Sequence, residues 1–164
     1  MRTPAKVVSA AVGAAMALLV GVEGIKYKAY QDTGGVWTIC YGYAQGVRPG
    51  QTATPQQCWS MLQTEAQATA NAIVPYLPAT INPNQLAALI SFCYNVGNTA
   101  CRNSTMFRLI NEGNWTAAAK QFDRWTFVKK MDCKVRSNNC YGIVLRRQAE
   151  RTLFEKPYAG PEGR

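Results

Sequence analysis

Apolar and polar positions divide the chain into an uncharged N-terminal run, a short strand-like stretch and a series of amphipathic helices. Val7 to Val22 carries no charge, is rich in Ala and Val, and follows a start that holds Arg2 and Lys6. From Tyr27 to Tyr43 β-branched and aromatic residues gather around the turn Asp32-Thr33-Gly34-Gly35, the pattern of a hairpin. Thr54-Pro55 supplies an N-cap with Pro at the first helical position, which predicts a helix to about Ile73 or Val74, ahead of Pro75 and Pro78. Asn82-Pro83 repeats that start signal. Leu86, Leu89, Ile90, Cys93 and Val96 then fall on one helical stripe, and Gly97 ends it. Ser104 to Asn111 and Trp115 to Trp125 read as shorter helices separated by Gly113. Cys133 to Cys140 reads as a loop and Gly142 to Glu155 as a last helix stopped by Pro157. The residues after Pro157 read as a loose tail. The fold class is therefore α+β and mostly helical, one small early β-hairpin region followed by a larger helical lobe.

Size and composition narrow the chemistry. The 164 residues suit one domain with a real core, and an apolar share of 48% excludes a disordered chain. Histidine is absent. That removes Ser-His-Asp and Cys-His triads, His-ligated zinc and a histidine base, so acid–base work falls to carboxylates, Lys, Tyr or Cys. No metal site and no cofactor are expected. Eighteen Lys and Arg against nine Asp and Glu give a charge of +9, which draws the protein to polyanions. More than half of those cations lie between Lys120 and Lys156, a run that a solvated helix face also explains.

Six cysteines, no CxxC and no His point away from zinc and toward three disulfides in an oxidising compartment. The short separations suggest Cys93 with Cys101 and Cys133 with Cys140, which leaves Cys40 with Cys58; this is one of many connectivities. Free thiols in a cytosolic protein are the alternative. The N-terminus favours export, because a basic start before an apolar run is export chemistry. The run is short for a membrane span of about 17–25 residues, and Ala and Gly make it weakly apolar. It reads as a cleaved signal peptide (Ala15-Met16-Ala17 fits the small-x-small pattern), a lasting anchor, or a marginal anchor able to leave the bilayer. Cleavage after Ala17 would place Glu23 a few residues from the new terminus, which argues that residues 1–22 are retained as a segment leading into a catalytic domain over residues 23–164.

Glu23, Asp32 and Thr38 lie close together with the spacing Glu-x8-Asp-x5-Thr. A helix end and a facing hairpin can set a Glu and an Asp on two walls of one cleft. Glycoside hydrolysis needs such a pair: a protonated carboxyl for the leaving oxygen and an ionised one for water or attack. Glu23 follows an apolar stretch that favours its protonated form, and Asp32 sits on a polar turn. A helix end and a turn Asp alone would explain the same residues. With nine acids and no His, few other pairs are on offer.

These residues carry a resemblance. Glu23-Gly24, Tyr27, Tyr30, Asp32 and Gly35-Val36-Trp37-Thr38-Ile39-Cys40-Tyr41-Gly42 resemble the active-site signature of phage-type lysozymes. Phe92-Cys93-Tyr94-Asn95-Val96-Gly97, Ser104-Thr105, Phe107, Leu109-Ile110-Asn111, Trp125 and Arg146-Arg147-Gln148-Ala149-Glu150-Arg151 continue it in order, over roughly Glu23 to Phe154. With the apolar N-terminus the chain is similar to the signal-arrest-release endolysins of lambdoid phages and prophages. The resemblance implies a lysozyme-like fold and an inverting muramidase. Glu23 is then the general acid, Asp32 positions the water, Thr38 hydrogen-bonds it, and the carboxyls stand about 6.5–9.5 Å apart. It also implies sugar contacts at Tyr94, Asn95 and Thr105, and an arginine, Arg146 or Arg147, beside Glu23. Cys40 and Cys58 match cysteines of membrane-tethered members. The chain departs from the family at Tyr43, where a histidine is usual; a tyrosine can donate a hydrogen bond but does not titrate near neutrality.

Three functions compete. The leading one is hydrolysis of the β-1,4 bond between N-acetylmuramic acid and N-acetylglucosamine in peptidoglycan, for host cell lysis. The implied partners are glycan strands and, before release, the inner membrane through residues 7–22; the protein is expected to be a monomer that passes to the periplasm. The second is a basic membrane-active or wall-binding protein without catalysis. The third, a nucleic-acid module, has no motif behind it, and no nucleic-acid partner is expected.

Overall fold

The computed structural model describes residues 2–32 and 34–160. Thr33 of the early turn and residues 161–164 of the expected tail lie outside the described residues. Helix α1 (Ala5–Glu23) leads into an antiparallel hairpin of β1 (Lys26–Gln31) and β2 (Trp37–Cys40). Then follow α2 (Pro55–Ile73), α3 (Pro83–Val96), α4 (Asn98–Arg102), α5 (Thr105–Asn111), α6 (Trp115–Gln121), a second hairpin of β3 (Phe127–Val128) and β4 (Met131–Asp132), and α7 (Gly142–Glu155).

The two proline-started helices form for the reason their sequences give. Thr54 and Asn82 each accept from the backbone N–H three residues on. Gln57 and Gln85 reach back to the cap N–H, so each N-terminus has a reciprocal pair of bonds. Helix α3 is the centre of the fold. Leu86 through Cys93 are all buried, with α1, α2 and α7 packed around them.

The apolar N-terminal run is a nineteen-residue helix that supplies part of this core. Ala11, Val12, Ala15, Met16 and Leu19 form one buried stripe against α3. Full burial of a leucine such as Leu19 contributes about 1.5–3 kcal/mol. The opposite face, with Gly13, Ala17, Val20 and Gly21, is exposed. The helix is also long and apolar enough to cross a membrane by length and composition.

Three local features differ from the sequence expectation. The chain does not break after Gly97 but turns at once into α4, with Gly97 at φ 94° as the joint. The helix expected to reach Trp125 stops at Gln121 and tightens into a 3-10 turn over Phe122–Arg124, because Phe122 and Trp125 are drawn into edge-on contacts with Phe92. Phe127 to Asp132 closes a two-residue-strand hairpin, with Lys129 and Lys130 at positive φ in its turn. The six cysteines form Cys40–Cys58, Cys93–Cys101 and Cys133–Cys140. The first ties the early hairpin to α2.

Candidate active site

The early hairpin sets the first group of polar side chains. Tyr30 pairs with Thr38 and Gln31 with Trp37. Paired residues share a face, so Tyr30 and Thr38 stand on one side, and Asp32 follows directly after β1 in the turn. Asp32 Oδ1 accepts from the backbone N–H of Gly34 at 2.8 Å and of Val36 at 2.9 Å. These bonds close the turn on the carboxylate and fix its rotamer. Oδ2 has no protein donor among the described residues, and the side chain is exposed. The buried Thr38 hydroxyl donates to Val36 O at 3.0 Å. Toward any further partner it can therefore only accept.

Glu23 is the last residue of α1, where Gly24 at φ 66° lets the chain leave the helix. Its side chain is 21% exposed and lies on the start of the loop after β2. A β-carbon at Gly42, whose φ is 77°, would stand 3.0 Å from Glu23 Oε2. Both the backbone angle and the close approach thus demand glycine there. From the other side Arg146 of α7 donates to Glu23 Oε1. Of the two arginines the sequence offered, Arg146 is the one that touches Glu23. Tyr30 lies in the field of both acids: its hydroxyl is pushed up by burial first, then by the charges of Glu23 and Asp32. Glu23 thus meets the loop that follows β2, and Asp32 stands on the turn between β1 and β2.

Behind Arg146 is a buried polar cluster that sequence reasoning did not find. Arg146 Nε donates to Glu150 Oε1 at 3.2 Å, and its Nη2 donates to Ser91 O at 3.0 Å. Ser91 Oγ donates to the same Glu150 oxygen at 2.7 Å. Arg147 Nε lies 3.1 Å from Glu150 Oε2, close but out of line for a hydrogen bond, and the guanidinium stacks over the Phe92 ring. Burial pulls the Arg147 pKa down to about 10 and pushes that of Glu150 up, against the pull of both arginines on the glutamate. The spacing Arg-Arg-x-x-Glu on one helix was visible, but its inward orientation was not.

The three residues expected to touch sugar are dispersed. Tyr94 donates its hydroxyl to Tyr41 O at 2.9 Å and so joins α3 to the hairpin. Its proton is held far above the usual tyrosine range, by burial first and then by Glu23 and Glu65. Tyr94 also lines a groove of about 240 Å³ with Tyr43, Glu65, Thr69 and Asn98. Asn95 is exposed and accepts from Arg147 Nη2 at 2.5 Å. Thr105 is exposed at the start of α5. The described residues contain no cluster of His, Cys, Asp and Glu able to hold a metal.

Comparison with known proteins adds a family and relatives. The family described as Phage lysozyme matches residues 20–150. A SAR-endolysin of Pseudomonas phage phiKMV is 40% identical over 141 residues, covering 86% of each chain. Among solved structures, the muramidase domain of SpmX from Asticaccaulis excentricus superposes with a TM-score of 0.77 at 29% identity, over 88% of this chain and 96% of that one. A mutant of P22 lysozyme gives 0.72 at 29% identity, over 95% and 99%.

Proposed function

Because this chain belongs to the phage lysozyme family and is a glycoside hydrolase, we propose that it cleaves peptidoglycan by inversion, with Glu23 as general acid and Asp32 and Thr38 as the pair that orders the attacking water. The observation that carries this reading is that Glu23, at the end of α1, lies against Gly42 just after β2, while Asp32 sits on the turn of that same hairpin. Two acids on opposite sides of a sugar ring are what single displacement requires.

Each step uses an atom with free capacity. Glu23 gives its proton to the glycosidic oxygen, and the bond from that oxygen to the anomeric carbon breaks. A water donates one hydrogen to Asp32 Oδ2 and the other to Thr38 Oγ. Both atoms can accept, since Asp32 Oδ1 is used by the turn and the Thr38 proton is used by Val36 O. The water's lone pair is left for the anomeric carbon. Its proton passes to Asp32 as the new bond forms. Tyr94, Asn95 and Thr105 remain our proposed sugar contacts; Tyr94 has the groove beside it in support.

Relatives named SAR-endolysin support a matching life cycle for this chain. We take residues 1–22 as an uncleaved export and anchor segment, and residues 23–164 as the catalytic domain, held first at the inner membrane and then released into the periplasm. The stripe Ala11, Val12, Ala15, Met16 and Leu19 cannot face lipid and α3 at once, so the tethered protein lacks part of its core and a seated Glu23. Release supplies both.

The test is clearing of outer-membrane-permeabilised cells by the protein and by Glu23→Gln. The variant should clear about 10²–10⁴-fold more slowly, the usual contribution of a general acid. Equal clearing would remove Glu23 from that role and favour a membrane-active protein without catalysis.

A further inference from the structure

We infer that Glu150, with Ser91, is a positioning residue for the general acid: it fixes the Arg146 guanidinium in the one pose that seats Glu23. This rests on the assignment of Glu23 as acid. Each nitrogen of the guanidinium has a partner. Its Nε is on Glu150, one Nη on Ser91 O and the other on Glu23. A planar fork with two of its three nitrogens anchored has no freedom left to rotate, so the third points at a set place. The anchors are themselves fixed. Glu150 is wholly buried, and its Oε1 takes a second bond from the buried Ser91 hydroxyl.

The origin of the parts matters as much as their geometry. Ser91, Arg146 and Glu150 lie on α3 and α7, and Glu23 is the only member carried by α1. The socket is therefore complete without the N-terminal helix. Buried Arg146 keeps an anionic partner whether or not Glu23 has arrived, and so need not turn toward solvent when α1 is elsewhere. Without Glu150, Arg146 would keep Glu23 as its one acidic partner among the described residues, and the fork would follow the charge rather than hold it.

The test is steady-state kinetics on soluble glycan strands released from peptidoglycan, with melting temperatures alongside. Glu150→Gln should lower kcat by about 10- to 100-fold, the loss expected from a misplaced catalytic group. KM should stay within about twofold. Glu150→Asp should recover part of the rate. Ser91→Ala, which keeps the carboxylate but removes one of its anchors, should lower kcat by about threefold. It decides the matter if Glu150→Gln fails to fold. Arg146→Gln combined with Glu150→Gln should be no slower than Arg146→Gln alone, because Glu150 acts through Arg146. Folded Glu150→Gln or Ser91→Ala with undiminished kcat would overturn the inference, as would a further loss in the double variant. Glu23→Gln, assayed in parallel, separates the two ideas: if it stays active, the acid assignment is what fails.

Discussion

The carboxylate of Glu23 meets the guanidinium of Arg146 although 123 residues separate them. One stands at the end of the first helix and the other near the start of the last, and α3 lies between as the common support. Glu23 is thereby clamped from three directions: by its own helix, by the backbone at Gly42 and by Arg146. The placing of Glu23 thus depends on the whole fold being assembled.

The backbone side of that clamp is tested by Gly42→Ala. The new methyl must adopt a positive φ and would stand 3.0 Å from Glu23 Oε2. We expect a stability loss of about 1–2 kcal/mol. The turnover should fall by about tenfold or more because the carboxyl is displaced. Thermal melting and turbidity clearing check both numbers. Loss of stability with full turnover would show that Glu23 does not need this contact.

Asp32→Asn separates charge from turn geometry. The amide oxygen can accept the same two N–H groups of Gly34 and Val36, so melting should hardly move. An amide cannot take the water's proton, and kcat should fall by about 10²–10³-fold. An asparagine variant that melts much lower would instead assign Asp32 to the turn alone.

Tyr94 gives a pH-dependent readout. Folding raises its pKa, so the unfolded chain loses that proton first. The stabilising contribution is complete below the ordinary tyrosine pKa of about 10 and is lost as pH rises beyond it. Tyr94→Phe should lower stability by about 1 kcal/mol near neutrality, through loss of the bond to Tyr41 O. Above pH of about 10 its melting temperature should fall less steeply than that of the parent. Parallel curves through the alkaline range would contradict this.

The two faces of α1 can be separated by leucine substitution. Gly13 and Gly21 have open space where a side chain would go, and Ala17 is exposed. Leucines at these three places should leave the core intact while adding about 2 kcal/mol of membrane affinity apiece. Fractionation should then find the variant held in the membrane and cell lysis delayed. Leucine at the fully buried Ala11 or Ala15 should destabilise the folded domain instead. Unchanged release of the triple variant would refute the marginal-anchor account.

Much of this molecule was legible in its residues. Pro after Thr54 and Asn82 marked two helix starts because the cap chemistry is local. The glycine-rich turn after Asp32 and its β-branched and aromatic flanks marked the early hairpin, because strand and turn preferences are local. The short spans of Cys93–Cys101 and Cys133–Cys140 were readable from chain length between them. Other features depended on distant partners. The α6 helix ended early because aromatic contacts with Phe92 outweighed local propensity. A charged triplet on α7 that would suit solvent turned inward, since Ser91 on α3 and Glu23 on α1 waited there with the matching groups. Period and spacing report what a residue does to its near neighbours along the chain. Which arginine reaches the acid, and which buried glutamate steadies that arginine, is set by packing between helices, which only the folded core brings within hydrogen-bond range.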